Sequence, residues 1–315
     1  MKKRRIKEVR AIPPYTHPGF FNFKMAAFEA WRKHGGLTGG TCYPARMFHW
    51  LAFRYDILPT VWKSWSEVRL RFVEPISVTF DTYPDYAFYE VIPFVWDCWP
   101  CYFEKMCAWM KKHKVRTAIF TSSIVADRMR ERFPSMHVMY CPEAVKTSIY
   151  HEGKPLAERE IDVLEFGRKS NINLTVDEKW NYVCTNVNGK LVYENWQLYQ
   201  AMGNAKLTIA LPRSITQPEL AGDVETLTQR YWESMLTRMV MVGHAPKELI
   251  DLVGYNPVVE LDWDHPNEQI QDILTHIADY QELVDRNREA ALQMGDWSLR
   301  MGAITRFLRD SRYEV

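Results

Sequence analysis

What the 315-residue sequence lacks narrows its identity first. No stretch approaches the roughly 20 apolar residues that span a bilayer as a helix, so no membrane span is expected. The amino terminus, Met1-Lys2-Lys3-Arg4-Arg5, is basic but is not followed by the apolar core of a signal peptide. A cytoplasmic protein is expected. Its four terminal cations are either a solvated tail or a weak contact with the inner face of the cell membrane, at about 1 kcal/mol per cation near anionic lipid. Net charge is also lacking: 40 Lys and Arg against 39 Asp and Glu leave +1. That balance argues against a nucleic-acid partner, which would need a broad phosphate-neutralising surface. Cysteines are few, and the six present are scattered through a chain without an export signal. Reduced thiols are therefore expected in place of a disulfide framework. Repeats and low-complexity tracts are absent.

What remains is the composition of a globular protein, 47% hydrophobic and 25% charged. The length suits two domains, each able to bury a core. In the first half, Arg5 to Ile12, Ile76 to Phe80, Val91 to Trp96, Arg116 to Thr121 and His137 to Tyr140 read as strands. Tyr43 to Tyr55, Tyr102 to His113 and Ile124 to Phe133 carry helical spacing between them. The order repeats from Ile161, with strands at Ile161 to Phe166, Leu207 to Leu211, Met239 to Gly243 and Val258 to Leu261. Helices are expected at Trp196 to Met202, Thr228 to Thr237, Pro246 to Val253 and Pro266 to Arg288. Strand-helix-strand alternation implies parallel sheets, hence an α/β protein of two Rossmann-like domains facing across a cleft. The expected division is 1–148 and 149–300, with 301–315 a terminal helix packing back on the first domain.

The most informative segment runs from Glu225 to Leu236. Trp232, Met235, Leu236 and Met239 would form its buried stripe. Thr226 or Thr228 would cap the helix start, where unpaired N–H groups and the dipole favour an anion. Arg230 falls in the same first turn, a poor place for a cation unless an anion lies beside it. Glu233 follows one turn later, placed to accept hydrogen bonds from hydroxyls near that anion. The plain alternative is a solvent-facing Arg230–Glu233 pair worth tenths of a kcal/mol.

Glu225 and Glu233, separated by seven residues and followed by the apolar strand Val240 to Gly243, resemble the donor site of retaining GT-B glycosyltransferases. Other segments resemble the same family in the same order. Ile161-Asp-Val-Leu-Glu-Phe-Gly-Arg168-Lys169 is similar to its first donor-domain strand and glycine turn. Phe120-Thr-Ser-Ser123 and Cys141-Pro-Glu-Ala-Val145 stand where its acceptor-domain strand and following turn occur. Thr228 to Glu233 matches the Thr-x-Arg-x-aromatic-Glu pattern of bacterial family-1-like members.

The resemblance implies a transferase moving sugar from a nucleotide-diphosphate donor to a saccharide or lipid-linked acceptor, in cell-surface polysaccharide or glycoconjugate synthesis. It implies that Glu233 holds the donor ribose and Glu225 contacts the transferred sugar. Arg168, Lys169 and Arg230 would neutralise the departing diphosphate, so neither a metal nor any cofactor beyond the nucleotide-sugar co-substrate is expected. Asp97 stands where the family often has histidine facing the sugar; its alternative is a helix N-cap. Gly39 and Gly40, in Gly35-Gly-Leu-Thr-Gly-Gly40, correspond to a phosphate-approaching turn or to a simple loop.

Three competing signals remain. Cys98-Trp-Pro-Cys101 at a strand-to-helix junction has the spacing of a thiol-disulfide oxidoreductase, though that reading leaves the second half unexplained. Cys98, Cys101, Cys107 and His113 could suggest zinc, but one helix cannot wrap four ligands around an ion. Asp262-Trp-Asp264 mimics a metal-binding Asp-x-Asp, yet lies just before a helix, where a cap or loop suits it better. A catalytically silent carbohydrate-binding relative is the non-enzymatic alternative.

Overall fold

The computed structural model describes residues 6–14, 23–40, 64–167, 178–187, 190–191 and 194–315. Contacts divide the chain into two units. One comprises Met1–Pro142, Leu220–Val224 and Trp297–Val315, and the other Glu143–Glu219 and Glu225–Asp296. The helix expected at Tyr43 to Tyr55 lies outside the described residues, as do Arg168 and Lys169.

The first unit is built on a parallel sheet of β1 (Lys7–Ala11), β2 (Glu67–Val73), β3 (Glu90–Val95), β4 (Thr117–Phe120) and β5 (His137–Tyr140), ordered as in the sequence. The chain's terminal strand, Tyr313–Glu314, adds parallel to β1 at the edge. Helices α1 (Phe23–Lys33), α2 (Pro100–His113) and α3 (Ser123–Arg132) connect or follow the strands. The two-residue period of β3 sorts its side chains. Val91 and Val95 join Met106, Met110, Val125 and Met129 from α2 and α3. Phe94 instead stacks on Trp96 at 4.3 Å and meets Trp297, at the start of the terminal helix Trp297–Asp310, edge-on at 5.9 Å.

Two sequence expectations change here. Ile76 to Phe80 is not a strand; Val78–Thr82 is a short helix. Its turn is fixed locally, because Asp81 accepts the Ser77 hydroxyl at 2.7 Å and the Thr82 hydroxyl donates to the Val78 carbonyl at 2.6 Å. The strand is Glu67–Val73, whose alternating arginines disguise it: Arg69 pairs with Glu67, and Arg71 with Asp85, both at 2.9 Å. A further buried charge anchors the chain end. The Glu90 carboxylate accepts Lys7 Nζ at 3.0 Å, Tyr313 Oη at 2.7 Å and the Arg116 guanidinium.

The second unit has β6 (Ile161–Glu165), β7 (Tyr182–Cys184), β10 (Ala205–Ala210), β11 (Val240–Gly243) and β12 (Val259–Glu260), all parallel, in the order β12-β11-β10-β6-β7. A two-stranded ladder, β8 (Asn186–Val187) with β9 (Lys190–Leu191), follows β7. Its helices are α4 (Asn195–Gly203), α5 (Gln229–Leu236), α6 (Lys247–Val253), α7 (Pro266–Thr275) and α8 (Gln281–Met294). The single helix expected from Pro266 to Arg288 is therefore broken, with the short turn Ile277–Tyr280 between α7 and α8. Strand alternation again makes two cores. Leu164, Ala210 and Met241 meet the expected stripe Trp232, Met235, Leu236 and Met239, while Val163, Leu207, Ile209, Val240 and Val242 meet Ile270 and Ile273 of α7. Each buried Val, Leu, Ile or Met among them contributes about 1.5–3 kcal/mol. Among the described residues, no helix is long and apolar enough to cross a membrane.

The strand order of the second unit has a physical consequence. Connections run from β6 to β7 on one side and from β10 to β12 on the other, so the topological switch point lies between β6 and β10. In open α/β sheets the crevice at the carboxyl ends of such a pair is the natural ligand position.

Candidate functional site

At the carboxyl end of β6 the chain turns through Gly167, whose φ is +73°. Glycine is needed there twice over. An L side chain is disfavoured at that φ, and a Cβ would lie 2.9 Å from Nη2 of Arg230. Arg230, in the first turn of α5, thus rests against the glycine turn, its guanidinium 5.5 Å from the Phe166 ring centroid. Burial lowers the pKa of this arginine, and Tyr231, Glu233 and Glu165 partly offset the shift. A cation held in a desolvated place at a helix start is poised for an anion, since both the charge and the dipole favour one.

Glu233 stands one turn along α5. Burial pushes its pKa up, opposed by the Tyr150 hydroxyl and by Arg230. Tyr150 donates to Glu233 Oε1 at 2.7 Å, fixing the carboxylate, and packs edge-on against Tyr199 at 5.2 Å. Thr228 is the residue before α5, but its side chain makes no capping hydrogen bond. The turn ahead of the helix is held instead by the buried Glu248, which accepts the Leu227 N–H at 3.0 Å.

Glu225 faces a histidine. His244 follows β11 directly, with Nε2 3.4 Å from Glu225 Oε1 and Nδ1 3.0 Å from Glu260 Oε2. The backbone of His244 is fixed as well, its N–H donating to Ala210 O at 2.9 Å and its carbonyl accepting the Tyr231 hydroxyl at 2.7 Å. Gly243, just before it, has no room for a side chain, since a Cβ would lie 2.0 Å from Ala210 O. Gly167, Arg230, Glu233, Glu225 and His244 thus all belong to the second unit, the first and last at strand carboxyl ends.

Sequence reasoning named Glu225, Arg230 and Glu233; their neighbours Tyr150, His244 and Glu260 come from the structure. Tyr150 is 83 residues from its partner and carries no local signal. His244 could have been found from its place at the end of an apolar strand.

Asp97, in the first unit, follows the carboxyl end of the central strand β3 with φ +49°. Its helix-cap alternative does not apply, because α2 begins at Pro100 and the preceding residue is Trp99. Aspartate is among the residues that enter the left-handed region most readily, as Lys114, Arg238 and Arg312 also do in this chain. The N–H of Gly39 is used within the fold, donating to Ala11 O at 2.9 Å; a Cβ there would lie 2.1 Å from Arg69 Nη1. Gly40 has open space around its α-carbon.

The cysteine pair is unsuited to thiol exchange. Cys98 is buried and Cys101 exposed. Burial, reinforced by Cys107, Cys101 and Asp97, pushes the Cys98 thiol up, whereas a dithiol nucleophile needs its pKa lowered. Asp262 accepts the N–H groups of Asp264 and His265 at 3.0 and 3.1 Å and so closes a turn ahead of α7.

No protein-family model and no curated protein matches the chain. Solved structures do. The chain is similar to HepE from Anabaena in complex with UDP and glucose, with a TM-score of 0.60, 11% identity, and 97% of this chain and 100% of that one covered. It is similar to AviGT4, a glycosyltransferase involved in avilamycin A biosynthesis, at TM-score 0.51 and 11% identity over 98% of both chains. A glycosyltransferase from Rickettsia africae matches at TM-score 0.52 and 7% identity, covering 97% and 99%. At such identities the likeness establishes the fold: two parallel α/β units of the GT-B glycosyltransferase type, as the ordered sequence segments implied.

Proposed function

We propose that this chain is a glycosyltransferase that takes a sugar from a nucleoside diphosphate donor and passes it to a saccharide or lipid-linked acceptor. The observation that carries the reading is the packing of Arg230 against the Gly167 turn at the β6/β10 switch point, with Glu233 one turn beyond. Backbone approach at the glycine, a desolvated guanidinium and a helix start together suit a diphosphate. Glu233, oriented by Tyr150, would accept the ribose hydroxyls. Glu225 would face the transferred sugar. When the anomeric carbon–oxygen bond breaks, its electron pair leaves on the diphosphate, and fixed cations there stabilise the transition state more than the ground state. Arg168 and Lys169 would add to that charge, making a divalent ion dispensable. Asp97 is proposed as the acceptor-side polar residue, and retention of configuration rests on the resemblance of the two glutamates. Synthesis of cell-surface glycans by a protein working at the inner membrane face is the matching role. The UDP bound in the HepE structure makes UDP the first nucleotide to test.

Thermal shift against UDP and a panel of nucleotide sugars tests this reading. A donor at 100 times its Kd stabilises by about 2.7 kcal/mol. Arg230→Ala and Glu233→Ala should abolish most of the shift, and EDTA should leave turnover unchanged. Silence across the panel, or shifts in both variants as large as that of the unaltered chain, would sink the assignment.

A further inference from the structure

A pocket of about 590 Å³ opens in the second unit, lined among others by Ile149, Lys154, Trp196, Tyr199 and Gln200. Part of its lining lies at the amino ends of the strands, while Tyr199 packs on Tyr150, the partner of Glu233. Gly203 and Asn204, which also line it, immediately precede β10, and Asn204 O accepts the Ile161 N–H at the start of β6. Gly167 and His244, by contrast, follow strand carboxyl ends.

The wall of the pocket is built to hold its shape. Residues 151–154 have no helix or strand of their own, yet two arginines clamp their carbonyls. Arg159 donates to Glu152 O and Lys154 O, both at 2.8 Å, and Arg238 donates to Glu152 O at 3.2 Å and Gly153 O at 3.1 Å. Gly153, at φ +69°, packs so tightly that a Cβ would lie 2.0 Å from Gly203 O. A loop of polar backbone fixed this way has lost its conformational freedom before any ligand arrives.

The lining chemistry narrows the occupant. Trp196 is 56% exposed, and its indole N–H donates to Glu194 Oε2 at 2.8 Å, so a large aromatic ring is fixed at the surface. Tyr199 lies beside it in the lining, its hydroxyl pushed up to about 12 by burial and by Glu233. Among the described lining residues the ammonium is that of Lys154, which lies 3.8 Å from the Glu160 carboxylate. Gln200 and His151 supply polar edges. Aromatic rings beside an amide and an imidazole are complementary to a pyranose, which has a C–H face and a hydroxyl edge.

We infer that this pocket binds a neutral saccharide, separately from the donor site. The test uses the full chain and saturation-transfer NMR with maltotriose, cellotriose and chitotriose at millimolar concentration, with uridine as the flat aromatic control. Transfer to pyranose protons is expected from at least one sugar. Trp196→Ala, and independently Gln200→Ala, should weaken that binding by about fivefold to tenfold, the loss of one stacked or hydrogen-bonded contact. Both side chains are on the surface of α4, and the UDP-induced thermal shift should persist in both variants. No transfer to any sugar would overturn the inference. So would affinity unchanged from the unaltered chain in both variants, displacement of the sugar by uridine, or loss of the UDP shift in Trp196→Ala. Because UDP is read separately, a chain that ignores UDP but binds the sugar through Trp196 would refute the donor assignment alone.

Discussion

Replacing Gly167 with alanine should separate binding from stability. The φ of +73° costs an L residue about 1–2 kcal/mol in the left-handed region. The new Cβ would lie 2.9 Å from Arg230 Nη2, closer than such atoms approach, and the flexible end of the arginine yields more cheaply than the backbone. The fold should therefore lose about 1–2 kcal/mol and survive. The displaced guanidinium would forfeit a charge-assisted hydrogen bond to the diphosphate, about 1.5–3 kcal/mol, or roughly a tenfold to hundredfold weaker Kd. Titration calorimetry with UDP reads the second quantity and urea unfolding the first. Coupling through Arg230 predicts non-additivity: Gly167→Ala should add little to the binding defect of Arg230→Ala. Unchanged affinity for UDP in Gly167→Ala, or fully additive losses in the double variant, would refute the arrangement.

Two further outcomes concern the first unit. Burial raises the pKa of Glu90, but hydrogen bonds from Arg116, Tyr313 and Lys7 outweigh it, so the carboxyl is held below its ordinary value. A carboxylate depressed in the folded state adds stability that is complete above its unfolded value and is lost as pH falls through the folded one. Glu90→Gln should thus flatten the acid limb of the stability curve below about pH 4.5 and cost about 3 kcal/mol at neutrality, since three donors lose their anion; an unchanged acid limb by circular dichroism would contradict it. Iodoacetamide at pH 8 should modify Cys101 and spare Cys98 by peptide mass mapping, and preferential labelling of Cys98 would reopen the redox reading.

Much of the fold was legible because periodicity is local. The stripe from Trp232 to Met239 and the apolar strands at Ile161, Leu207 and Val240 are set by side chains two to four residues apart. Where local signals conflict, reading failed. Glu67–Val73 carries arginines on a strand because Asp85 and Glu67 neutralise them, and Ile76 to Phe80 has strand-like residues in a turn closed by Asp81 and Thr82. Neither outcome is visible without the partner.

The candidate site divides in the same way. The sequence alone determined that Glu225, Arg230 and Glu233 stand at and within one turn of a helix start, because helical geometry follows from spacing. Only the tertiary structure decided that Gly167 meets Arg230 across 63 residues, that Tyr150 grips Glu233 and that His244 lies between Glu225 and Glu260. Those contacts depend on parallel strands from distant segments ending side by side, and the energy that fixes them comes from the two cores beneath the sheet, which no short segment contains.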